Sequence, residues 1–303
     1  MRLIVASGVP MPPATPSTDA GHHALECMEI WGTNDLGDRT ANTPGVDVHV
    51  HSKPHAAAKS GGDIHYVSVC GSGRITRTLL ADIAGHGMAV DGIARQLRDL
   101  VRKNINNPFQ MRLVRDLNNQ FTALDKNKTA SSPGAEFATA VVATILPRKN
   151  RLTLCNAGHP RPLFYSTHSK TWRLLIAEKE SDGDGDLPLG IAPEIPYHQF
   201  AIPFTPGDIL VLYTDGLIEA TNPANTQLGE EGLLAMVQNL PTDSLPAAVA
   251  AFQSRLDAFR STKPSDDDLT LLFLRRTGNT RVSHSVRERL RVYGRLLGVI
   301  KDA

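Results

Sequence analysis

Cysteine and long apolar runs are scarce in this sequence. The 303 residues include three cysteines, Cys27, Cys70 and Cys155, and no two of them stand close together in the chain. This spacing argues against a disulfide framework or a cysteine-rich zinc site, and it favours a reducing, cytoplasmic location. No stretch approaches the roughly 18 apolar residues that cross a membrane, so neither membrane insertion nor a membrane partner is expected.

An excess of charge of either sign is missing as well. The chain has 32 lysines and arginines against 31 aspartates and glutamates, for a formal net charge of +1. This balance argues against a nucleic-acid partner, which requires a basic surface. Apolar residues make up 41% of the chain, enough to bury a sizeable core, and 24 glycines with 20 prolines indicate many turns rather than a helix bundle.

The order of hydrophobic patterns predicts how the chain is divided. Residues 1–44 are expected to form an N-terminal tail, partly mobile, that leads into a main domain at residues 45–276. Residues 277–303 carry several arginines and regularly spaced apolar residues. They are predicted to form a basic amphipathic C-terminal helix that packs on the domain or docks on a partner.

The main domain shows strand and helix patterns in an order that is typical of antiparallel sheets. Val46–Val50 alternates with period two and is interpreted as an edge strand, while Ile64–Cys70 and Ile75–Ile83 predict a hairpin. Apolar residues then recur with helical spacing in two successive segments between residues 90 and 124. A later strand is predicted at Ile195–Ile202. Paired helices between hairpin-linked strands predict an α+β fold in which helices cover the sheets.

Four aspartates share a position at which an apolar strand meets a loop. They are Asp63, Asp82, Asp215 and Asp267, and three of them have glycine nearby. Carboxylates that are brought together from separate strands repel one another unless cations neutralise them. Hard divalent cations prefer oxygen ligands, and two such ions about 4 Å apart can hold a phosphoryl group and activate a water. The pattern therefore predicts a site for divalent cations.

Seven short motifs extend this pattern along the chain. They are, in order, Gly61-Gly62-Asp63, Ala81-Asp82-Ile83-Ala84-Gly85-His86-Gly87, Phe137-Ala138-Thr139-Ala140, Asn156-Ala157-Gly158-His159-Pro160, Leu187-Pro188-Leu189-Gly190, Tyr213-Thr214-Asp215-Gly216 and Asp267-Asp268-Leu269-Thr270. Over residues 45–275 the chain resembles the metal-dependent serine/threonine protein phosphatases of the type 2C (PPM) superfamily. The resemblance is to the bacterial SpoIIE-like, RsbU-like branch in particular.

This resemblance implies a fold, a cofactor and a set of ligands. The implied fold is a four-layer α/β/β/α sandwich, in which two antiparallel sheets are flanked by helices. The implied cofactor is a pair of divalent cations, Mn²⁺ or Mg²⁺. By motif, Asp82 would bridge both ions and the backbone carbonyl of Ile83 would add a ligand. Asp63 would bind one ion, and Asp215 and Asp267 would bind the other.

The resemblance also implies a reaction and its partners. Asp82 and Asp215 would act through metal-bound water on a phosphoserine or phosphothreonine, without a covalent enzyme intermediate. Either His86 or water would protonate the leaving group, and the motifs leave that choice open. The substrate is expected to be a regulatory protein such as a phosphorylated anti-sigma-factor antagonist. The helices within residues 88–126 are the expected surface for an activating partner or a homodimer.

Two other functions remain open from the sequence. The residues that follow Asp63 depart from the family's usual pattern, which leaves room for a catalytically weak scaffold or signalling module of the same fold. Separately, Asp47, His49 and His51 are similar to the first metal motif of amidohydrolases, because alternate strand residues face the same side. A metal-dependent amidohydrolase would require a parallel barrel, and otherwise the two histidines simply lie on the face of an edge strand.

Overall fold

The fold of the chain is given by a computed structural model. The described residues are 23–25, 30–31, 37–53, 61–70, 73–84, 88–105, 107–125, 137–176, 187–261 and 267–280. The predictions for His86 and for the C-terminal helix lie outside these residues, apart from the short stretch 277–280.

The described residues contain thirteen strands and five α-helices. The strands are β1 (His23–Ala24), β2 (Ile30–Trp31), β3 (Gly37–Thr43), β4 (Val46–Lys53), β5 (Ile64–Cys70), β6 (Ile75–Ile83), β7 (Ala138–Leu146), β8 (Arg151–Ala157), β9 (Leu163–Ser166), β10 (Thr171–Leu174), β11 (Gln199–Pro203), β12 (Ile209–Tyr213) and β13 (Leu269–Arg276). The helices are α1 (Met88–Asn104), α2 (Gln110–Asp125), α3 (Asp215–Ile218), α4 (Gly229–Val237) and α5 (Leu245–Arg260).

These strands form two sheets. In the described ranges the first sheet has seven strands, in the order β1-β3-β4-β13-β12-β9-β10, and the second has six, in the order β11-β8-β7-β6-β5-β2. Neighbouring strands run antiparallel, except that β1 and β3 pair in parallel over two residues. Strands β1, β2 and β3 precede residue 45 and join the sheets. The domain start predicted at residue 45 stays a prediction.

Three layers of buried side chains show how the sheets and helices stack. The middle layer lies between the two sheets and includes Leu80 of β6 and Leu212 of β12. On the outer face of the six-stranded sheet, Leu97 of α1 and Leu117 of α2 pack against the strands. On the outer face of the seven-stranded sheet, Phe252 of α5 belongs to the corresponding layer. The predicted α/β/β/α sandwich is confirmed.

The connection between α1 and α2 is held against the sheet by a buried arginine. Arg77 of β6 is 2% exposed, and its guanidinium donates to the backbone carbonyls of Ile105, at 2.8 Å, and Asn107. Its Nε donates to the hydroxyl of Thr144 at 2.9 Å. These bonds satisfy carbonyls that the end of α1 would otherwise leave without partners. They tie the helix pair to the strand that carries Asp82.

Within the described ranges, no helix is both long and apolar enough to cross a membrane.

Strand β4 lies inside its sheet, so the interpretation of Val46–Val50 as an edge strand is wrong. It pairs with β3 on one side and with β13 on the other. The sequence pattern could not show this, because β13 is more than 200 residues away. His49 Nε2 and His51 Nδ1 lie 2.9 Å and 3.0 Å from Asp38 Oδ1. The antiparallel sandwich also contradicts the amidohydrolase alternative, which requires a parallel barrel.

The strand predicted at Ile195–Ile202 is shorter than expected and begins only at Gln199. Two prolines, Pro193 and Pro196, precede it, and a proline has no backbone N–H to donate to a neighbouring strand. Glu194 between them has a positive φ of 55°, which ends an extended conformation. The residues before Gln199 instead form turns against α2.

The contact between α2 and these turns depends on one buried amide. Asn118 is fully buried, and its Nδ2 donates to the Ala192 carbonyl at 2.8 Å. Its Oδ1 accepts from the Gly190 backbone N–H at 3.0 Å and from the Tyr197 hydroxyl at 3.3 Å. We expect Asn118→Leu to lower the free energy of unfolding by about 2–4 kcal/mol, because it leaves buried backbone groups without partners. Denaturant unfolding of the metal-free protein measures this loss.

The adjacent Asn119 provides a matched control for this prediction. Its side chain also bonds to the 187–197 segment, through Glu194, but these bonds are exposed to solvent. Asn119→Leu is expected to cost less than about 1 kcal/mol, because water replaces the lost bonds. Equal losses in the two variants would show that the buried amide of Asn118 does not hold α2 to this segment.

Candidate metal centre

The apolar layer between the sheets ends in polar residues at one end. In a strand, every second side chain points to the same face. Leu80 and Leu212 belong to the middle layer, so the residues two positions further on, Asp82 and Thr214, face the same space at the end of that layer. Thr270 of β13 reaches this end as well, since its backbone N–H donates to the Thr214 hydroxyl at 3.0 Å.

Asp63 lies deepest in this polar end. Its side chain is 3% exposed, and Oδ2 accepts a hydrogen bond from the Thr214 hydroxyl at 3.0 Å. The Thr270 hydroxyl also bonds to this carboxyl group, and it lies 3.0 Å from the hydroxyl of Ser52. Among the described residues, Asp63 Oδ1 is buried without a hydrogen-bond partner. A buried carboxylate oxygen that lacks a donor is suited to bind a cation.

Asp82 lies within β6 and faces Asp215, which follows β12 of the opposite sheet. It is half-buried, it pairs across the ladder with Thr139 of β7, and its carboxyl group is hydrogen-bonded to that of Asp215. Such a bond requires a proton between the two carboxyl groups, which would otherwise repel each other. The strands of two different sheets thus bring two of the predicted ligands into contact.

The electrostatics show how closely the acidic groups converge. The pKa of Asp63 is raised to about 8, mainly by burial, and the nearby charges of Asp268 and Asp215 add to the rise. The pKa of Asp82 is raised to about 10, again mainly by burial, with further contributions from Asp63, Asp215 and Asp267. Without a cation, the folded chain therefore favours the protonated form of both groups. Bound divalent cations would reverse that preference.

The paired aspartates of the last motif have different positions. Asp268 Oδ2 accepts from the backbone N–H of Gly62 at 2.7 Å, so this side chain holds the loop that carries Asp63. A Cβ on Gly61 would lie 2.5 Å from the same oxygen, which explains why glycine is required there. Asp267 Oδ1 instead accepts from the Asp268 backbone N–H at 2.7 Å. Its charge also raises the pKa of Asp82, so Asp267 lies within the acidic cluster.

Asp215 is the first residue of α3, a short helix that the sequence patterns did not predict. It follows β12 by two residues, and α3 turns the chain back over the end of the sheet. A Cβ on Gly216 would overlap the backbone carbonyl oxygen of Asp268, so glycine allows the two loops to approach closely. Asp215 and Asp267 also raise the pKa of Glu219, after burial as the main cause.

The oxygen-rich donor set fits Mg²⁺ or Mn²⁺ better than a metal that prefers nitrogen or sulfur. Asp63, Asp82, Asp215 and Asp267 act on one another electrostatically, as the predicted ligands would. In the described ranges, however, no three Asp, Glu, His or Cys side chains already have the geometry of a metal site. Ile83 ends β6 beside Asp82, and His86 lies outside the described residues.

The sequence patterns singled out the aspartates but not the hydroxyl residues around them. Thr214 and Thr270 bond to Asp63, and each stands inside a motif that was already quoted, within three residues of a predicted ligand. The period of two along β12 and β13 was the available signal. Ser52 offered no such signal, because its place beside Thr270 depends on the pairing of β4 with β13.

Comparison with known proteins places this chain in a family. Residues 72–277, more than half of the chain, match the family described as Stage II sporulation protein E (SpoIIE). The chain is 25% identical to the phosphoserine phosphatase RsbP of Bacillus subtilis over 198 residues, which is 65% of this chain and 45% of RsbP. It is 26% identical to the phosphoserine phosphatase RsbU of the same organism over 244 residues, 80% of this chain and 66% of RsbU. The chain thus spans less than two thirds of these relatives.

Solved structures share the fold. The PP2C phosphatase domain of SpoIIE from Bacillus subtilis, with a fragment of its regulatory domain, has a TM-score of 0.60 at 15% identity, covering 82% of this chain and 71% of that one. The SiaA-PP2C domain of Pseudomonas aeruginosa also has a TM-score of 0.60, at 18% identity, with 75% and 85% covered. The phosphatase PstP, solved with two manganese ions, has a TM-score of 0.52 at 16% identity, with 77% and 98% covered.

Proposed function

The chain belongs to the SpoIIE family, and on that premise we propose that it is a metal-dependent protein serine/threonine phosphatase. The observation that carries the proposal is the convergence of Asp63, Asp82, Asp215 and Asp267 at the end of the inter-sheet layer, where burial and nearby carboxylates favour the protonated form of Asp63 and Asp82. This arrangement costs stability and has no structural benefit, unless cations bind there.

We propose that two divalent cations, Mn²⁺ or Mg²⁺, bind between the two sheets. Asp82 would contact both, with the Ile83 carbonyl beside it, while Asp63 would hold one ion and Asp215 and Asp267 the other. When bound, such ions polarise phosphoryl oxygens and lower the pKa of a water. The two manganese ions of the PstP structure support this assignment.

The residues of this chain orient that centre. Thr214 and Thr270 donate to Asp63 and hold its unpartnered Oδ1 in place. Asp268 holds the loop of Asp63 through Gly62 and is proposed as a supporting residue rather than a ligand. Asp82 and Asp215 come from opposite sheets, so ligands from both sheets would hold the cations to which a phosphate binds. Water or His86 would protonate the leaving serine or threonine.

The proposed substrate is a phosphoserine or phosphothreonine on a regulatory protein, such as an anti-sigma-factor antagonist. Support comes from the family and from two relatives whose names describe phosphoserine phosphatases. We further propose a cytoplasmic location, which the scarcity of cysteine supports. The helix pair between residues 88 and 126 is the proposed surface for an activating partner or a homodimer, because Arg77 links it to the strand of Asp82.

Hydrolysis of p-nitrophenyl phosphate by the purified chain tests the enzyme proposal. We expect turnover with Mn²⁺ or Mg²⁺ and none with EDTA, and hydrolysis of a phosphoserine peptide but not of its phosphotyrosine counterpart. Turnover in EDTA would contradict the proposal. A chain that binds Mn²⁺ in calorimetry but shows no turnover would need its activating partner.

The scaffold alternative predicts a different result for Asp215→Asn. In an enzyme, this variant loses turnover and keeps the binding of a phosphoprotein partner. In a scaffold, the wild type already lacks turnover with every ion and partner. The variant then has the same turnover and the same partner binding as the wild type. Comparing turnover and partner binding in the two proteins therefore separates the two functions.

A further inference from the structure

One buried histidine outside the ligand set bridges the two sheets at the metal centre. His159 follows β8, and its Nδ1 lies 2.8 Å from the hydroxyl of Thr139. The residue is 5% exposed, and Nε2 is buried without a close hydrogen-bond partner among the described residues. The backbone of Tyr213 lies near enough to raise the pKa of the ring, although burial dominates and lowers it to about 3. The imidazole is therefore neutral at physiological pH.

The two neighbours of this ring, the Thr139 hydroxyl and the backbone of Tyr213, belong to different sheets. Thr139 lies on β7 of the six-stranded sheet and pairs directly with Asp82. Directly paired residues of antiparallel strands have Cβ atoms roughly 4.5–5.5 Å apart on the same face. Tyr213 ends β12 of the seven-stranded sheet, two residues before Asp215. The ring thus lies between β7, which pairs with the strand of Asp82, and β12, which precedes Asp215.

The backbone around His159 is held as firmly as its ring. The Asn156 side chain accepts from the His159 N–H at 2.7 Å and donates to the His159 carbonyl at 2.8 Å. Gly158 has a φ of 69°, and a Cβ on it would lie 2.8 Å from Pro188, so only glycine fits this turn. This turn therefore holds the backbone that carries the imidazole in one conformation.

The segment that contains Pro188 is fixed to the same strand. Leu189 and Ala138 exchange two backbone hydrogen bonds, of 2.8 Å and 2.9 Å, immediately before Thr139. Three of the seven sequence motifs therefore meet at Thr139, although none of them supplies a predicted metal ligand. A purely structural turn would not require this convergence beside Asp82.

We propose that His159 is a positioning residue, which, through Thr139, sets the distance between Asp82 and Asp215 and so the affinity of the centre for divalent cations. The inference rests on the proposed function. In the tautomer that carries its proton on Nε2, Nδ1 accepts from the Thr139 hydroxyl and Nε2 faces the backbone of Tyr213. One neutral ring then joins both sheets. Removing either contact lets the two carboxyl groups shift relative to each other.

The test is calorimetric titration of the metal-free chain with Mn²⁺, which requires no turnover. Thr139→Val keeps the shape of the side chain and removes its hydroxyl, whereas Thr139→Ser keeps the hydroxyl and serves as the matched control. We expect Thr139→Val and His159→Phe each to weaken Mn²⁺ binding by roughly 10–100-fold, as supporting residues of metal ligands do. Thr139→Ser should stay within about threefold of the wild type. The double variant should be no weaker than the worse single variant, because the two residues act as one unit.

The outcomes separate this inference from the proposed function. A folded Thr139→Val variant with wild-type affinity overturns the inference, as does a double variant whose losses add. If His159→Phe does not fold, Thr139→Val and Thr139→Ser still decide. With p-nitrophenyl phosphate and saturating Mn²⁺, Thr139→Val should lower kcat and leave KM unchanged. A wild type that binds no Mn²⁺ overturns the proposed function, and the inference with it.

Discussion

Replacing Asp82 by asparagine is expected to abolish metal-dependent phosphatase turnover while the chain stays folded. The carboxyl group faces Asp63, Asp215 and Asp267 at once, so it is the group best placed to contact two cations. Its loss should reduce kcat by roughly 10³-fold or more, since the charge that holds the ions is removed. Turnover of p-nitrophenyl phosphate with saturating Mn²⁺ measures this effect.

The same variant should be more stable than the wild type in the absence of metal. Asparagine has nearly the same shape and is neutral at every pH, so the folded state no longer has to take up a proton at this position. Asp257→Asn in α5 is the matched control, because it makes the same chemical change at an exposed residue that is far from the cluster. We expect it to alter neither turnover nor thermal stability. Full activity in Asp82→Asn would remove Asp82 from the site.

The metal-free protein is expected to lose stability as the pH rises. In the folded state the pKa values of Asp63 and Asp82 lie near 8 and 10, above the usual value of 3.8. The folded chain therefore holds protons that the unfolded chain releases, and the contribution is fully present below about pH 4. It decreases as the pH rises through the folded pKa values, by up to about 1.4 kcal/mol per pH unit for each proton held.

Divalent cations should reverse this dependence, because they bind the deprotonated carboxylates of the folded chain. Thermal unfolding in EDTA should give a lower midpoint at pH 8.5 than at pH 6, whereas saturating Mn²⁺ should restore or invert the order. Asp82→Asn should flatten the slope in EDTA, and Asp257→Asn should leave it unchanged. A metal-free midpoint that rises between pH 6 and pH 8.5 would contradict the protonated cluster.

The fold and the positions of the acidic residues were largely predictable because they depend on local patterns. Short apolar runs along β6 and β12, each leading to an aspartate, indicated both the strands and the acidic positions. The helix pair was equally clear, since apolar residues recur at helical spacing within each helix. Leu97 of α1 and Leu117 of α2 belong to these patterns, and both are buried. These features need no knowledge of which strand pairs with which.

Pairing between distant strands is what local patterns could not show. β4 was assigned to an edge because nothing near it in sequence reveals β13 as its partner. The contact between Thr139 and His159 was hidden as well, since it joins β7 to the turn after β8 through side chains that no periodic pattern marks. A short helix such as α3 also leaves no periodic signal.

The sequence by itself determined the class of fold, the acidic positions at the strand ends and the family, because each of these follows from residue type and spacing along the chain. Only the tertiary structure decided that Asp82 and Asp215 meet across two sheets, that Thr214 and Thr270 hold Asp63, and that a neutral histidine spans the gap. The physical reason is that burial and repulsion depend on distances through space, which no spacing in sequence specifies.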